Sequence, residues 1–122
     1  LEYAPLDREH HRPLFDASCE KNRKAAAPLS DLLRYFGTAN AKVLDYWLDN
    51  SMFSSWIRPP KKFTLDEQVC TADIAAYTAL GIKDITTFAC YLGADYEALY
   101  GAPSIGGYGD AVWKYVGDDK RS

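Results

Sequence analysis

The side chains of this sequence that can do chemistry gather where strands are predicted to end. After a first predicted strand, Leu1 to Leu6, stand Arg8, His10, His11 and Arg12. A second, about Lys42 to Leu48, ends in Trp47, Asp49 and Asn50, with Asp45 one layer deeper and Trp56 in the connection beyond. A third, Asp84 to Leu92, is followed by Asp95 and Tyr96 and carries Tyr91 near its end. Aromatic rings beside carboxylates and Arg suit a sugar. A pyranose offers an apolar face for stacking and a ring of hydroxyls that need donors and acceptors. Glycoside hydrolysis takes two carboxyl groups, about 5–5.5 Å apart for retention and about 6.5–9.5 Å for inversion. Sequence spacing supplies no such distance, so no residue is assigned as catalytic.

Each candidate has a plainer reading beside it. Asp45 lies mid-strand on the face of Val43 and Trp47, and a buried carboxylate must be paired or carry a raised pKa. It is either an inward-facing site residue or the structural partner of an Arg or a backbone donor. Asp49, before Asn50-Ser51, is either a sugar contact or a turn or helix cap. Trp47 and Trp56 are core residues or stacking platforms. The Arg8–Arg12 run is a solvated loop or an anion site suited to a uronate carboxylate. Asp95 is a helix N-terminal acid favoured by the dipole, or a functional group. The expected substrate-binding set is Arg8, His11, Asp45, Trp47, Asp49, Trp56, Tyr91 and Asp95. No metal or other cofactor is expected. Cys19, Cys70 and Cys90 are an odd count without a CxxC pair, and only His10 and His11 could join them. Cys70 and Cys90 read as small hydrophobes, and the cysteines fix no compartment. Ser104 to Gly109 is glycine-rich but matches neither a P-loop nor G-x-G-x-x-G, and reads as a tight turn.

The elements that must position these residues repeat as strand, loop, helix. A helix is predicted from about Asn22 to Phe36, with Leu29, Leu32, Leu33 and Phe36 at helical spacing and Gly37 past its end. Pro28 either kinks it or marks its true first turn. Thr64-Leu65-Asp66-Glu67 predicts a capping box, with Thr64 as N-cap and Glu67 reaching back, before a helix that ends at Gly81. Asp84–Leu92 is β-branched and nearly uncharged, as for a strand covered on both faces. A short helix from Ala94 to Gly101 and a last one from Ser104 to Val116 complete the chain, before a frayed tail from Gly117 to Ser122.

This is an α/β pattern of three consecutive parallel βα units. At 122 residues the chain holds about one domain. Apolar content of 48% and charged content of 25% fit a soluble globular chain rather than a disordered or fibrous one. Fourteen Lys and Arg against seventeen Asp and Glu give −3, which argues against a nucleic-acid partner. No apolar run approaches the length of about 18 residues that a membrane helix needs. The opening Leu1–Leu6 lacks a basic n-region and reads as a strand entered in mid-course, not as a signal peptide. Three parallel strands leave open edges, and a (β/α)8 barrel needs about 250 residues. The expectation is therefore a partial barrel spanning residues 1–122, completed by the rest of a barrel or by self-association. A flavodoxin-like domain is set aside, because Asp7–Leu14 holds no glycine, Ser or Thr for a phosphate loop.

Asn40-Ala41-Lys42-Val43-Leu44-Asp45-Tyr46-Trp47-Leu48-Asp49, with Phe53-Ser54 and Trp56, resembles a segment of the DUF4838-type family. So does Ile85-Thr86-Thr87-Phe88-Ala89-Cys90-Tyr91-Leu92-Gly93-Ala94-Asp95-Tyr96. Tyr3-Ala4-Pro5-Leu6 and the spacing Asp16-x-x-Cys19-x-x-Asn22 fit it more loosely. The resemblance covers most of residues 1–110. It implies a bacterial, carbohydrate-linked protein whose core is similar to the barrel of hexosaminidase- and α-glucuronidase-type glycoside hydrolases. These strands would be the last three of that barrel. Tyr46-Trp47-Leu48-Asp49 then matches a substrate-holding pattern at a strand end, and the catalytic acid would lie on an earlier strand, outside this chain. The alternative is a non-catalytic carbohydrate-binding or interaction module of the same architecture.

Overall fold

A computed structural model describes residues 1–117. It shows an α/β arrangement with one parallel sheet, strand order β1-β2-β3. The elements are β1 (Glu2–Tyr3), α1 (Glu20–Phe36), β2 (Lys42–Asp49), α2 (Asn50–Phe53), α3 (Glu67–Ala79), β3 (Asp84–Cys90), α4 (Ala94–Tyr100) and α5 (Gly106–Val112). A π-helical turn, Trp113–Gly117, follows. The predicted tail falls, past Gly117, outside the described residues.

The strand register explains which side chains meet. Tyr3 pairs with Val43, and Val43 with Ile85. All three point into one core with Leu29 and Leu33 of α1 and Val69, Ile74 and Tyr77 of α3. On the opposite face Leu44 and Tyr46 are half-buried and Phe88 is exposed. A register irregularity between Asp45 and Leu48 breaks the alternation, so that Leu48 and Asp49 are buried as neighbours.

Several boundaries differ from the sequence expectation, each for a physical reason. β1 stops at Tyr3 rather than Leu6. Pro5 has no N–H for a ladder, and the chain turns through bonds from Leu6 N to Ala4 O and from Arg8 N to Leu6 O. α1 starts at Glu20 rather than Asn22, with Pro28 inside it, and leaves Phe36 exposed. Its Leu32 is only half-buried. β3 ends at Cys90, because Tyr91 adopts a left-handed φ of 59°. Nor is β3 covered on both faces. It is an edge strand on which Ile85 is buried while Thr86, Phe88 and Ala89 are exposed. The last predicted helix is shorter, Gly106–Val112, before the π-helical turn.

The start of α3 is the clearest correction. Asp66, not Thr64, is its N-cap, and the Asp66 carboxylate accepts from Val69 N at 3.2 Å. Leu65, just before the cap, is buried in the core while Thr64 is exposed, which sets the cap two positions later. Asp66→Ala is expected to cost about 1 kcal/mol in a denaturant melt, and Thr64→Ala close to nothing. Equal losses would return the cap to Thr64. The other end of α3 matches expectation. Gly81 sits at φ 93°, with Gly81 N bonded to Thr78 O and Ile82 N to Tyr77 O, the paired bonds of a Schellman stop.

Candidate functional site

The expected site residues separate into two groups with different surroundings. The first is a buried ionic knot. Arg8 Nη1 lies 3.0 Å from Asp45 Oδ2 and 2.8 Å from Asp73 Oδ2, and all three side chains are fully shielded from solvent. β2 supplies Asp45, α3 supplies Asp73, and the loop after β1 folds Arg8 back between them. Each of the four carboxylate oxygens accepts at least one hydrogen bond. Asp45 accepts from Tyr77 Oη at 2.9 Å and from Tyr46 N at 2.8 Å. Asp73 accepts from Trp47 Nε1 at 3.0 Å and from Leu14 N at 2.7 Å. Arg8 Nη2 donates to Arg12 O at 2.8 Å. Buried Asn22 holds the same loop, donating to Glu9 O, Arg12 O and Pro13 O and accepting from Glu9 N.

One guanidinium faces two carboxylates here, so the knot carries an excess negative charge in a dry interior. Burial, reinforced by Asp73 and opposed by Arg8, raises the Asp45 carboxyl from 3.8 to about 6. Burial likewise raises the Tyr77 hydroxyl, with Asp45 and Asp73 adding to the effect. Asp45 stands on the helix-covered face of the sheet. Arg8, Asp45 and Trp47 are thus committed to one another and to Asp73. Among the described residues Arg8 Nε and Asn50 Oδ1 are buried without a hydrogen-bond partner.

The second group is exposed and lies at the C-terminal ends of β2 and β3. Trp56 is 68% exposed. Its backbone is held by Trp56 N donating to Ser51 O at 2.8 Å and by Tyr91 Oη donating to Trp56 O at 3.2 Å. Arg58 lies 4.5 Å from the Tyr91 ring centre and bonds Asp95 Oδ2 at 2.7 Å. Ser55, Trp56 and Tyr91 have φ of 52°, 56° and 59°, the only non-glycine residues in the left-handed region among those described. Such backbone is uncommon outside glycine and concentrates at binding sites. Asn50 ties the group together by donating to Lys61 O at 2.8 Å and Tyr91 O at 3.3 Å.

The remaining candidates sit between the two. Asp49 is buried and caps α2, accepting from Ser51 N at 2.9 Å and from Ser51 Oγ. His11 is exposed on a cavity of about 240 Å³ that is also lined by Arg8, Glu9, His10 and Met52. His10 Nε2 lies 2.9 Å from Leu6 O, and its ring meets Tyr46 edge-on. A larger cavity, about 530 Å³, runs along the β1 edge between Tyr3 and Pro28 and includes none of the strand-end candidates. Among the described residues no group of three or more His, Cys, Asp or Glu is placed to hold a metal ion, and no helix is long and apolar enough to cross a membrane.

Sequence reasoning missed Asp73, Tyr77 and Arg58. For Asp73 a signal was present, because Val69, Asp73 and Tyr77 fall at four-residue steps on one stripe of α3. A carboxylate inside an apolar stripe calls for a buried cation. Arg58 carried no such signal, since its partners Tyr91 and Asp95 lie far along the chain. None of the family models, curated proteins or solved structures compared with the chain matches it.

Proposed function

We propose that this chain is the carbohydrate-binding sector of a glycoside-hydrolase-like (β/α)8 barrel of the DUF4838 type, contributing one wall of the substrate pocket from the ends of its three strands. The observation that carries the reading is the Trp56, Arg58, Tyr91 and Asp95 cluster. It joins an exposed Trp56, through the bond from Tyr91 Oη to its backbone oxygen, to an Arg58–Asp95 pair that offers donors and acceptors, at the sheet end where α/β barrels hold their ligands. The open sheet face of Leu44, Tyr46 and Phe88, with the exposed edge strand β3, supports a larger barrel around it, or a second copy against it. In that barrel the Val43–Asp45–Trp47 face looks outward to the helices, so Asp45 supports the wall rather than touching sugar.

This sector acts by binding. Asp45 and Asp73 are shielded and bonded on both oxygens, and neither is placed to exchange a proton with a glycosidic oxygen. That observation also favours the second reading, a non-catalytic sugar-binding module. Under either reading the chain itself hydrolyses no aryl-glycoside. Titration with oligosaccharides, followed by tryptophan fluorescence, is expected to give saturable quenching. Trp56→Ala is expected to weaken binding at least about tenfold, the equivalent of losing one good contact. A flat response of the wild-type chain across neutral, amino and acidic sugars removes the proposal.

A further inference from the structure

Resting on that sugar-binding reading, we infer that the cavity between the loop after β1 and α2 seats one pyranose ring, with Glu9 and His10 accepting from its hydroxyls and Met52 against its apolar face. The cavity holds about 240 Å³ and is lined by Arg8, Glu9, His10, His11 and Met52. At roughly 30 Å³ for each water displaced, that is room for about eight waters, the scale of a single sugar ring. β1 and β2 are neighbours in the sheet, and the cavity is lined by the segments that follow their C-terminal ends. Barrels of this architecture take their ligands at that end.

The lining is fixed before a ligand arrives. Asn22, itself buried, accepts from Glu9 N at 2.6 Å and donates to Glu9 O at 3.0 Å. His10 is held by Leu6 O at 2.9 Å and by the edge of the Tyr46 ring, 6.0 Å away between centres. On the α2 side Met52 is half-buried, and its carbonyl accepts from Ser55 N at 3.2 Å. Groups ordered in this way lose little freedom on binding, which removes a main cost of holding a small ligand. His11 is exposed, so the cavity opens to solvent on its side.

The polar groups are of the kinds that hydroxyls require. A carbonyl only accepts, so His10 Nε2 carries the proton that meets Leu6 O, and Nδ1 of the neutral ring is an acceptor. Burial lowers His10 below its ordinary range, which keeps the ring neutral at pH 7. Glu9 Oε1 accepts from His11 N at 3.0 Å, and a carboxylate has further lone pairs on both oxygens. The cavity thus offers two acceptors beside one apolar side chain. An anion fits it less well. Glu9 is a carboxylate, and the Arg8 charge is engaged by Asp45 and Asp73 in the knot.

The cavity also adjoins both the sheet and the strand-end cluster. The Tyr46 ring that His10 meets is stacked on Phe88 at 5.1 Å, on the sheet face that looks inward in a barrel. Trp56 N donates to Ser51 O at 2.8 Å, and Ser51 precedes Met52. Cavity and cluster are then neighbouring ring positions along one oligosaccharide.

The chain's two histidines both line the cavity, so their imidazole resonances report on it directly. Side-chain nitrogen–proton spectra are recorded while maltotriose, chitotriose and trigalacturonate are added in turn, with calorimetry for affinity. His11→Ala assigns the two rings. At saturation by a trisaccharide that binds, both sets of resonances are expected to move, His10 Nδ1 the most. Glu9→Gln keeps the shape and the bond from His11 N, and is expected to weaken binding about tenfold, the size of one charge-assisted hydrogen bond. Met52→Trp, verified as folded by circular dichroism, fills the cavity and is expected to abolish the histidine shifts. Binding with both histidines unmoved, or full affinity in Glu9→Gln, overturns the inference while leaving sugar binding at the Trp56 cluster in place. Neither heat nor tryptophan quenching with any of the three sugars overturns the binding reading itself, and the inference with it.

Discussion

Arg8→Met should destabilise the fold by about 3–5 kcal/mol at neutral pH, read in a denaturant melt. Methionine fills a similar volume without strain, so the loss isolates the charge. What remains is two shielded carboxylates, Asp45 and Asp73, stripped of the guanidinium that bridges them. Breaking a buried pair from one side costs far more than the pair itself contributes, because the stranded ion keeps its desolvation penalty. Against a typical domain stability of about 5–15 kcal/mol this is a large fraction. The loop from Arg8 to Leu14 should loosen with it, since Arg8 Nη2 no longer reaches Arg12 O.

Two comparisons make the result specific. Arg12→Met removes an exposed ion pair with Asp16 and should be nearly silent in a urea melt. The Arg8→Met deficit should also shrink at acidic pH, where Asp45 is relieved of its charge by a proton. A deficit independent of pH, or one matched by Arg12→Met, would mean that the knot contributes packing rather than electrostatics.

Much of the frame was legible in sequence because the apolar period switches between two and 3.6 residues at recognisable stops. Gly37, Gly81 and Gly101 each close a helix where expected, all three with positive φ. The start of α3 was misread because two good capping residues, Thr64 and Asp66, stand two positions apart, and only the burial of Leu65 decides between them. β1 was read too long because its apolar pattern continues through Pro5, whose missing N–H ends the ladder. Covering of β3 was inferred from composition, but composition does not show whether a neighbouring strand is present.

The strand-end residues were read in sequence as one neighbourhood, and their division into knot and cluster was not legible. Asp45 and Asp95 are both carboxylates beside a strand. What separates them is which arginine arrives, Arg8 in the interior or Arg58 at the rim, and in each case the partner lies 37 residues away. Pairing over that distance depends on the crossovers, which a linear pattern specifies only in outline.

The second large effect is a loss of stability as pH rises from about 4 to 6, opposite in sign to the usual carboxylate. Asp45 is raised from 3.8 to about 6 in the folded chain, chiefly by burial. The folded state therefore binds its proton more tightly than the unfolded chain does. The stabilisation is complete below 3.8 and is lost as pH passes through about 6, by on the order of 3 kcal/mol from a shift of this size. Two other groups act in the opposite sense. Asp16, lowered to about 2 by Ser18 and Arg12, contributes stability that is present above 3.8 and is lost as pH falls through about 2. His10, lowered by burial, contributes stability that is lost as pH falls below its ordinary range near 6.5. Chemical denaturation at half-unit steps should therefore be compared between wild-type and Asp45→Asn. The difference curve is expected to fall between pH 4 and 6 and to be level outside that window. Tyr77→Phe removes the hydroxyl that donates to Asp45 Oδ2 and so favours the charged form less. It should move the fall to higher pH. Identical pH profiles in all three proteins would show that Asp45 stays ionised in the knot throughout, with Arg8 alone sufficient for both carboxylates.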